Sequence, residues 1–143
     1  MDDKLDRIIT NYVEFKARKE RKIITVTILK EELPTNEELS DRMFQKYKNI
    51  VLSNPGFSLV VDLRLLKKIN ISFVWKKFGS YNSKLEPIFK KNIKCFCVLI
   101  NYDTIKILVD SISKVYPAII PFGVFKDYEN AIKFINSVLN KNK

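Results

Sequence analysis

Histidine is absent from this chain, and cysteine, glycine and proline are scarce, at two, three and five of 143 residues. Without histidine there is no His-based triad, no imidazole metal ligand and no side chain that ordinarily serves as a general base near neutral pH. Cys95 and Cys97 stand two apart in an apolar run. In a strand both would share one face, in a geometry poorly suited to a mutual disulfide, so buried reduced thiols are expected. Two thiols without histidine do not make a zinc site. Gly56, Gly79 and Gly123 are too few to write a P-loop or a dinucleotide fingerprint. Acids are thin beyond residue 54, where only Asp62, Glu86, Asp103, Asp110, Asp127 and Glu129 occur. Asp103 and Asp127 are placed to cap helices. Asp62 closes an apolar run, at the end of a strand where parallel sheets gather their ligands. These absences argue against an enzyme and call for no cofactor and no metal.

Long apolar runs are missing too. None approaches the roughly 18 residues of a membrane span, and the acidic start Met1-Asp2-Asp3-Lys4 lacks the apolar segment of a secretion signal. A soluble, cytoplasmic protein is the expectation, with no transmembrane segment.

What is present is apolar content of 46%, enough to fill one core in a single domain spanning residues 1–143. The most regular stretch is Ile93 to Leu139. Ile93–Asn101 and Ile119–Phe125 are apolar runs, Thr104–Val115 has helical spacing, and Asp127 opens a closing helix. Such alternation predicts an α/β sheet domain. Upstream, Arg7–Phe15 and Lys22–Leu29 look like two strands joined as a hairpin by the basic link Lys16–Lys22. In the second, Ile24, Val26 and Ile28 alternate with Thr25 and Thr27 as in a half-buried strand. Thr35 and Glu38 have capping-box spacing ahead of Leu39, Met43, Tyr47 and Ile50, and Asn54-Pro55-Gly56 ends that helix. Phe57–Leu63 reads as a central strand. Ile71, Val74, Trp75 and Phe78 form the stripe of another helix, broken at Gly79–Ser83 and resumed as a short one through Leu85, Ile88 and Phe89. The fold class is therefore α/β: a mixed sheet of about five strands, an N-terminal β-hairpin followed by αβ units, flanked by about four helices.

The order β-β-α-β-α-β-α-β-α over about residues 8–139 resembles the anti-sigma-factor-antagonist (STAS) fold and its relatives, among them CRAL-TRIO-like lipid-binding proteins. Phe57-Ser58-Leu59-Val60-Val61-Asp62-Leu63 is similar to the family's central strand ending in Asp-Leu. Pro121-Phe122-Gly123-Val124-Phe125, followed by Lys126-Asp127-Tyr128-Glu129-Asn130-Ala131, is similar to its last strand and a helix with an early Ala. The resemblance implies a non-catalytic protein-interaction module. It also implies a phosphorylation switch where the second helix begins, usually Asp-Ser-Ser-Gly. Here the stretch is Asn70-Ile71-Ser72-Phe73, a degenerate version in which Ser72 is the one hydroxyl left, to cap the helix or to accept phosphate. A CRAL-TRIO-like pocket would instead hold a lipid or another small ligand.

Charge offers a rival. The formal net charge is +10, and residues 55–143 hold fifteen Lys and Arg against six acids, while residues 1–54 hold eleven against ten. Lysines can neutralise phosphates without reading sequence, and Tyr81 could stack on a base. Only five of the 26 basic residues are Arg, the side chain that grips phosphate bidentately. Arg18, Lys19 and Arg21 in the hairpin link, with Lys67, Lys68, Lys76 and Lys77, form the candidate contact surface, and Ser72 is the candidate regulatory site. The partner expected is another protein or a second copy, with nucleic acid or another polyanion as the alternative.

Overall fold

The computed structural model describes residues 3–115 and 119–141. Its elements are α1 (Asp3–Thr10), β1 (Val13–Arg18), β2 (Ile23–Ile28), α2 (Glu37–Ser53), β3 (Phe57–Asp62), α3 (Ile71–Asn92), β4 (Ile93–Leu99), α4 (Asp103–Val115), β5 (Phe122–Phe125) and α5 (Tyr128–Lys141). The five strands lie side by side in sequence order. β1 and β2 are antiparallel, and β2 to β5 are parallel. The α/β class and the five-stranded mixed sheet are as the sequence indicates.

Each parallel step moves the chain in the same direction along the sheet, and a right-handed crossover then puts every connecting helix on one face. Strand alternation supplies the matching side chains. Ile24, Val26 and Ile28 of β2, Leu59 of β3 and Val98 of β4 point to the face that carries α1, α2 and α3, where Ile105 and Val109 bring in α4. Ile23, Val60, Cys95, Cys97 and Leu99 point to the other face, closed by Ala131 and Ile135 of α5. Both cysteines are buried and free, on one face of β4.

Several expectations are corrected. The first strand does not begin at Arg7. Leu5, Ile8 and Ile9 have helical spacing, Ile9 is buried, and amides of Asn11 and Tyr12 close the turn on the carbonyls of Ile8 and Ile9. Asp6 ties this helix to α2 through Arg42 (3.1 Å) and Lys46 (3.4 Å). There are accordingly five helices among the described residues, not four. The hairpin strand runs on to Arg18, so the link is shorter than read and turns at Lys19–Lys22, with Lys22 in the left-handed region at φ 55°.

At α2 the cap is Asn36 rather than Thr35, its side chain accepting from the Leu39 amide at 3.0 Å. Gly56, at φ 82°, makes the reversal into β3. α3 is not broken at Gly79–Ser83. It continues through Pro87, because its packing against α2 outweighs the poor helix propensity of that stretch. Trp75 is half-buried, and the side chain of Phe78 lies outside the described ones. Asp127 does cap α5, accepting from the Asn130 amide at 2.8 Å. Asp103 is instead the first residue of α4, where the Tyr102 carbonyl accepts from the Ile105 and Lys106 amides.

Candidate functional site

α2 and α3 lie side by side and run the same way, since both leave the carboxyl end of a parallel strand. Their contacts advance together along both helices. Lys76 meets Glu37 at 3.0 Å, and Lys77 meets Asp41 at 3.3 Å and Glu37 at 3.8 Å. Tyr81 donates its hydroxyl to Asp41 at 2.6 Å and stacks on Phe44 at 4.3 Å. Tyr47 stacks on Phe89 at 5.8 Å. The hydrogen bond from Tyr81, then Lys77, holds the Asp41 carboxyl below its ordinary value. Desolvation, reinforced by that bond, pushes the Tyr81 phenol up.

α4 is attached to the same sheet face through Ile105 and Val109. Between the sheet and the helices α2, α3 and α4 lies a cavity of about 480 Å³, lined from Val13 and Phe15 of β1 to Ile112 of α4 and within the roughly 300–1,000 Å³ of small-molecule sites. Val26, Val61 and Val98 form its floor, Phe73 and Phe89 one wall, and Val109 and Ile112 the opposite wall. An aromatic row crosses it: Tyr47 stacks on Phe89, Phe89 meets Phe96 edge-on at 5.8 Å, and Phe96 meets Phe122 edge-on at 5.3 Å. The few charged groups of the lining are Lys68, Lys77 and Glu86, and Lys77 is committed to its two carboxylates.

The sequence-predicted contact residues do not form one patch. Arg18, Lys19 and Arg21 are exposed at the hairpin turn, beside the amino ends of the parallel strands. Lys67 and Lys68 lie beyond the carboxyl end of β3, at the opposite end of the sheet, with Lys67 paired to Glu31 at 3.0 Å. Lys76 and Lys77 sit on α3 in the ion pairs described above, and the Lys77 side chain is only 16% exposed. Ser72 is exposed in the first turn of α3. The cap there is not Ser72 but Asn70, whose side chain accepts from the Phe73 amide at 2.9 Å. Tyr81 is stacked within the protein and hydrogen-bonded, so it is not presented to a base.

Asp62 is also occupied. Arg64 grips its carboxylate through Nε at 3.0 Å and Nη2 at 2.8 Å, and the Arg64 amide adds a third bond at 3.0 Å. That arrangement shapes the loop after β3 and leaves no free base. Among the described residues no cluster of three or more Cys, Asp or Glu is placed to hold a metal, and no helix is long and apolar enough to cross a membrane.

Neither a protein-family model nor a curated protein matches the chain. Among solved structures it is similar to an uncharacterized protein of the DUF3478 family from Shewanella loihica PV-4, whose crystal structure has a SpoIIAA-like fold. The TM-score is 0.56 at 13% identity, over 85% of this chain and 90% of that one. The fold is SpoIIAA-like. This likeness carries the STAS-like part of the resemblance seen in sequence; nothing in it supports the CRAL-TRIO-like part. At that identity it speaks for the fold alone, so function has to be argued from this chain's own residues.

The sequence reading missed the cavity. Its signal was the aromatic set Phe44, Tyr47, Phe73, Tyr81 and Phe89, of which Tyr81 was read as a base-stacking candidate and Phe73 as part of a degenerate switch. Which of those rings face each other depends on the parallel run of α2 and α3, which no spacing rule within one helix reports.

Proposed function

We propose that this SpoIIAA-like domain is a non-catalytic binding module that takes an apolar small molecule in the cavity between the sheet and α2, α3 and α4. The observation that carries this reading is the cavity of about 480 Å³ walled by aliphatic and aromatic side chains. Apolar surface removed from water on both partners supplies the driving force. The reading also fits the engaged Asp62 carboxylate, which removes the acid best placed for chemistry.

The test uses the neutral dye N-phenyl-1-naphthylamine, whose emission rises in apolar surroundings. The wild-type protein should bind it saturably at one site. Ile112→Trp, which fills the space from the α4 side, should abolish that binding without loss of helical circular dichroism. Val109→Phe serves as a second filling variant on the same wall. Saturable binding that survives both in folded protein would sink the proposal.

Protein docking, the partner expected from sequence, has a specific observation in its favour. Leu65, Ile71 and Ile107 are 52%, 60% and 65% exposed. All three belong to segments that leave the carboxyl end of the sheet, near Lys67 and Lys68. Apolar side chains beside cations suit a partner surface better than bulk water. Self-association is its directly measurable form. Sedimentation should show a reversible dimer that Ile71→Asp with Ile107→Asp dissociates, and a monomer at all concentrations would exclude it. Of the candidate contact residues, Arg18, Lys19 and Arg21 at one end of the sheet and Lys68 at the other are left for a polyanion, because Lys76 and Lys77 are held by α2 and Lys67 by Glu31.

A further inference from the structure

Tyr47 differs from the other phenol of the cavity lining. Tyr81 spends its hydroxyl on Asp41, whereas no hydrogen bond to the Tyr47 hydroxyl is found among the described residues. Its surroundings are apolar: Phe89 covers one ring face at an interplanar angle of 11°, and desolvation alone pushes its pKa above the ordinary phenol value. Nor is its oxygen packed shut. Among the described residues, Tyr128 holds the one side-chain polar atom that is both sealed and unpartnered. Tyr47 is one of the residues that line the cavity.

A hydroxyl in a largely apolar lining that has no partner in the protein is free to donate to a ligand. We propose that Tyr47 is the specificity-determining group of this cavity, donating a hydrogen bond to the carbonyl oxygen of a neutral apolar ligand. The inference rests on the binding reading above and names its ligand class: an apolar ketone, ester or quinone. A hydrocarbon leaves the hydroxyl unmet. The aromatic row from Tyr47 through Phe89 and Phe96 to Phe122 favours ligands with a flat face or edge.

Two near-isosteric probes separate the terms: 2-acetylnaphthalene carries the carbonyl, and 2-ethylnaphthalene has a methylene in its place. Each is titrated against N-phenyl-1-naphthylamine bound to the full chain. Tyr47→Phe should lower affinity for the ketone roughly three- to tenfold and leave the hydrocarbon within about twofold. An equal change for both probes, or none, overturns the role of Tyr47 while the cavity reading stands. Failure of both probes to displace the dye from wild type overturns the cavity reading and this inference with it. Infrared spectroscopy gives an answer that needs no variant. The carbonyl stretch of the ketone bound to wild type should fall below its frequency in hexane, and an unshifted band overturns the proposal.

Discussion

Tyr47 and Tyr128 both carry hydroxyls that find no partner among the described residues, and their settings decide opposite outcomes. Tyr47 lines a cavity that can hold a ligand. Tyr128 opens α5 beneath the second sheet face, with its oxygen sealed in packing. Loss of a hydroxyl that makes no bond removes a desolvation penalty and keeps the ring's contacts, so Tyr128→Phe should raise stability by about 1 kcal/mol. Urea unfolding followed by circular dichroism measures this, and a loss of stability would mean that the hydroxyl has a partner. At this scale the sequence was informative where chemistry is local. The spacing of Cys95 and Cys97 put both thiols on one strand face, where they are found buried and free. It was uninformative where the partner is decided by the turn of a loop. Nothing in the run from Asp62 to Arg64 announces that Arg64 folds back to grip the carboxylate through both nitrogens.

Elements were legible in proportion to their periodicity. β2 and β3 stand out because Ile24, Val26 and Ile28 alternate and Phe57–Asp62 is apolar on both faces. α1 was mistaken for strand because eight residues give a helical pattern little room to show, and the adjacent Ile8 and Ile9 imitate an apolar strand. α3 was cut at Gly79 because propensity counts only the chain's own preferences, while its stability comes from a neighbouring helix. Asp41, Lys77, Tyr81 and Phe44 hold the middle of α3 against α2 across the stretch where the helix was expected to stop.

That clasp has a pH signature. The Asp41 carboxyl is held below the ordinary carboxyl value, first by the Tyr81 hydroxyl and then by Lys77. A carboxyl with a depressed folded pKa contributes its stability above the unfolded value and loses it as pH falls through the folded one. The melting temperature should therefore drop as the solution is acidified below about pH 4, beyond the drop shown by the Asp41→Asn variant. Parallel acid profiles for the two proteins would mean that the clasp contributes nothing. Asp41 is largely exposed, so the effect should shrink with added salt.

The whole molecule shows why the cavity lies on the face that gathers the connecting helices. With strands in sequence order, α2, α3 and α4 must share a single face, and α5 alone returns across the other. Ion pairs and stacked rings draw α2 and α3 together, and the cavity lies between the sheet and α2, α3 and α4. This could be read from strand order and helix pairing, but not from any one segment, and for that reason the sequence revealed the fold and hid the site. The same geometry predicts where a ligand acts. Binding to the folded state alone adds about 2.7 kcal/mol when free ligand is a hundred times its Kd, which raises the melting temperature of a domain this size by roughly 10 °C. Hydrogen exchange should slow most in α2, α3 and α4, the helices that line the cavity, and stay unchanged at the Lys19–Lys22 turn. Protection spread evenly over all elements would report stabilisation without locating the site; protection confined to the hairpin would place the ligand elsewhere and return the basic turn to the centre of the functional question.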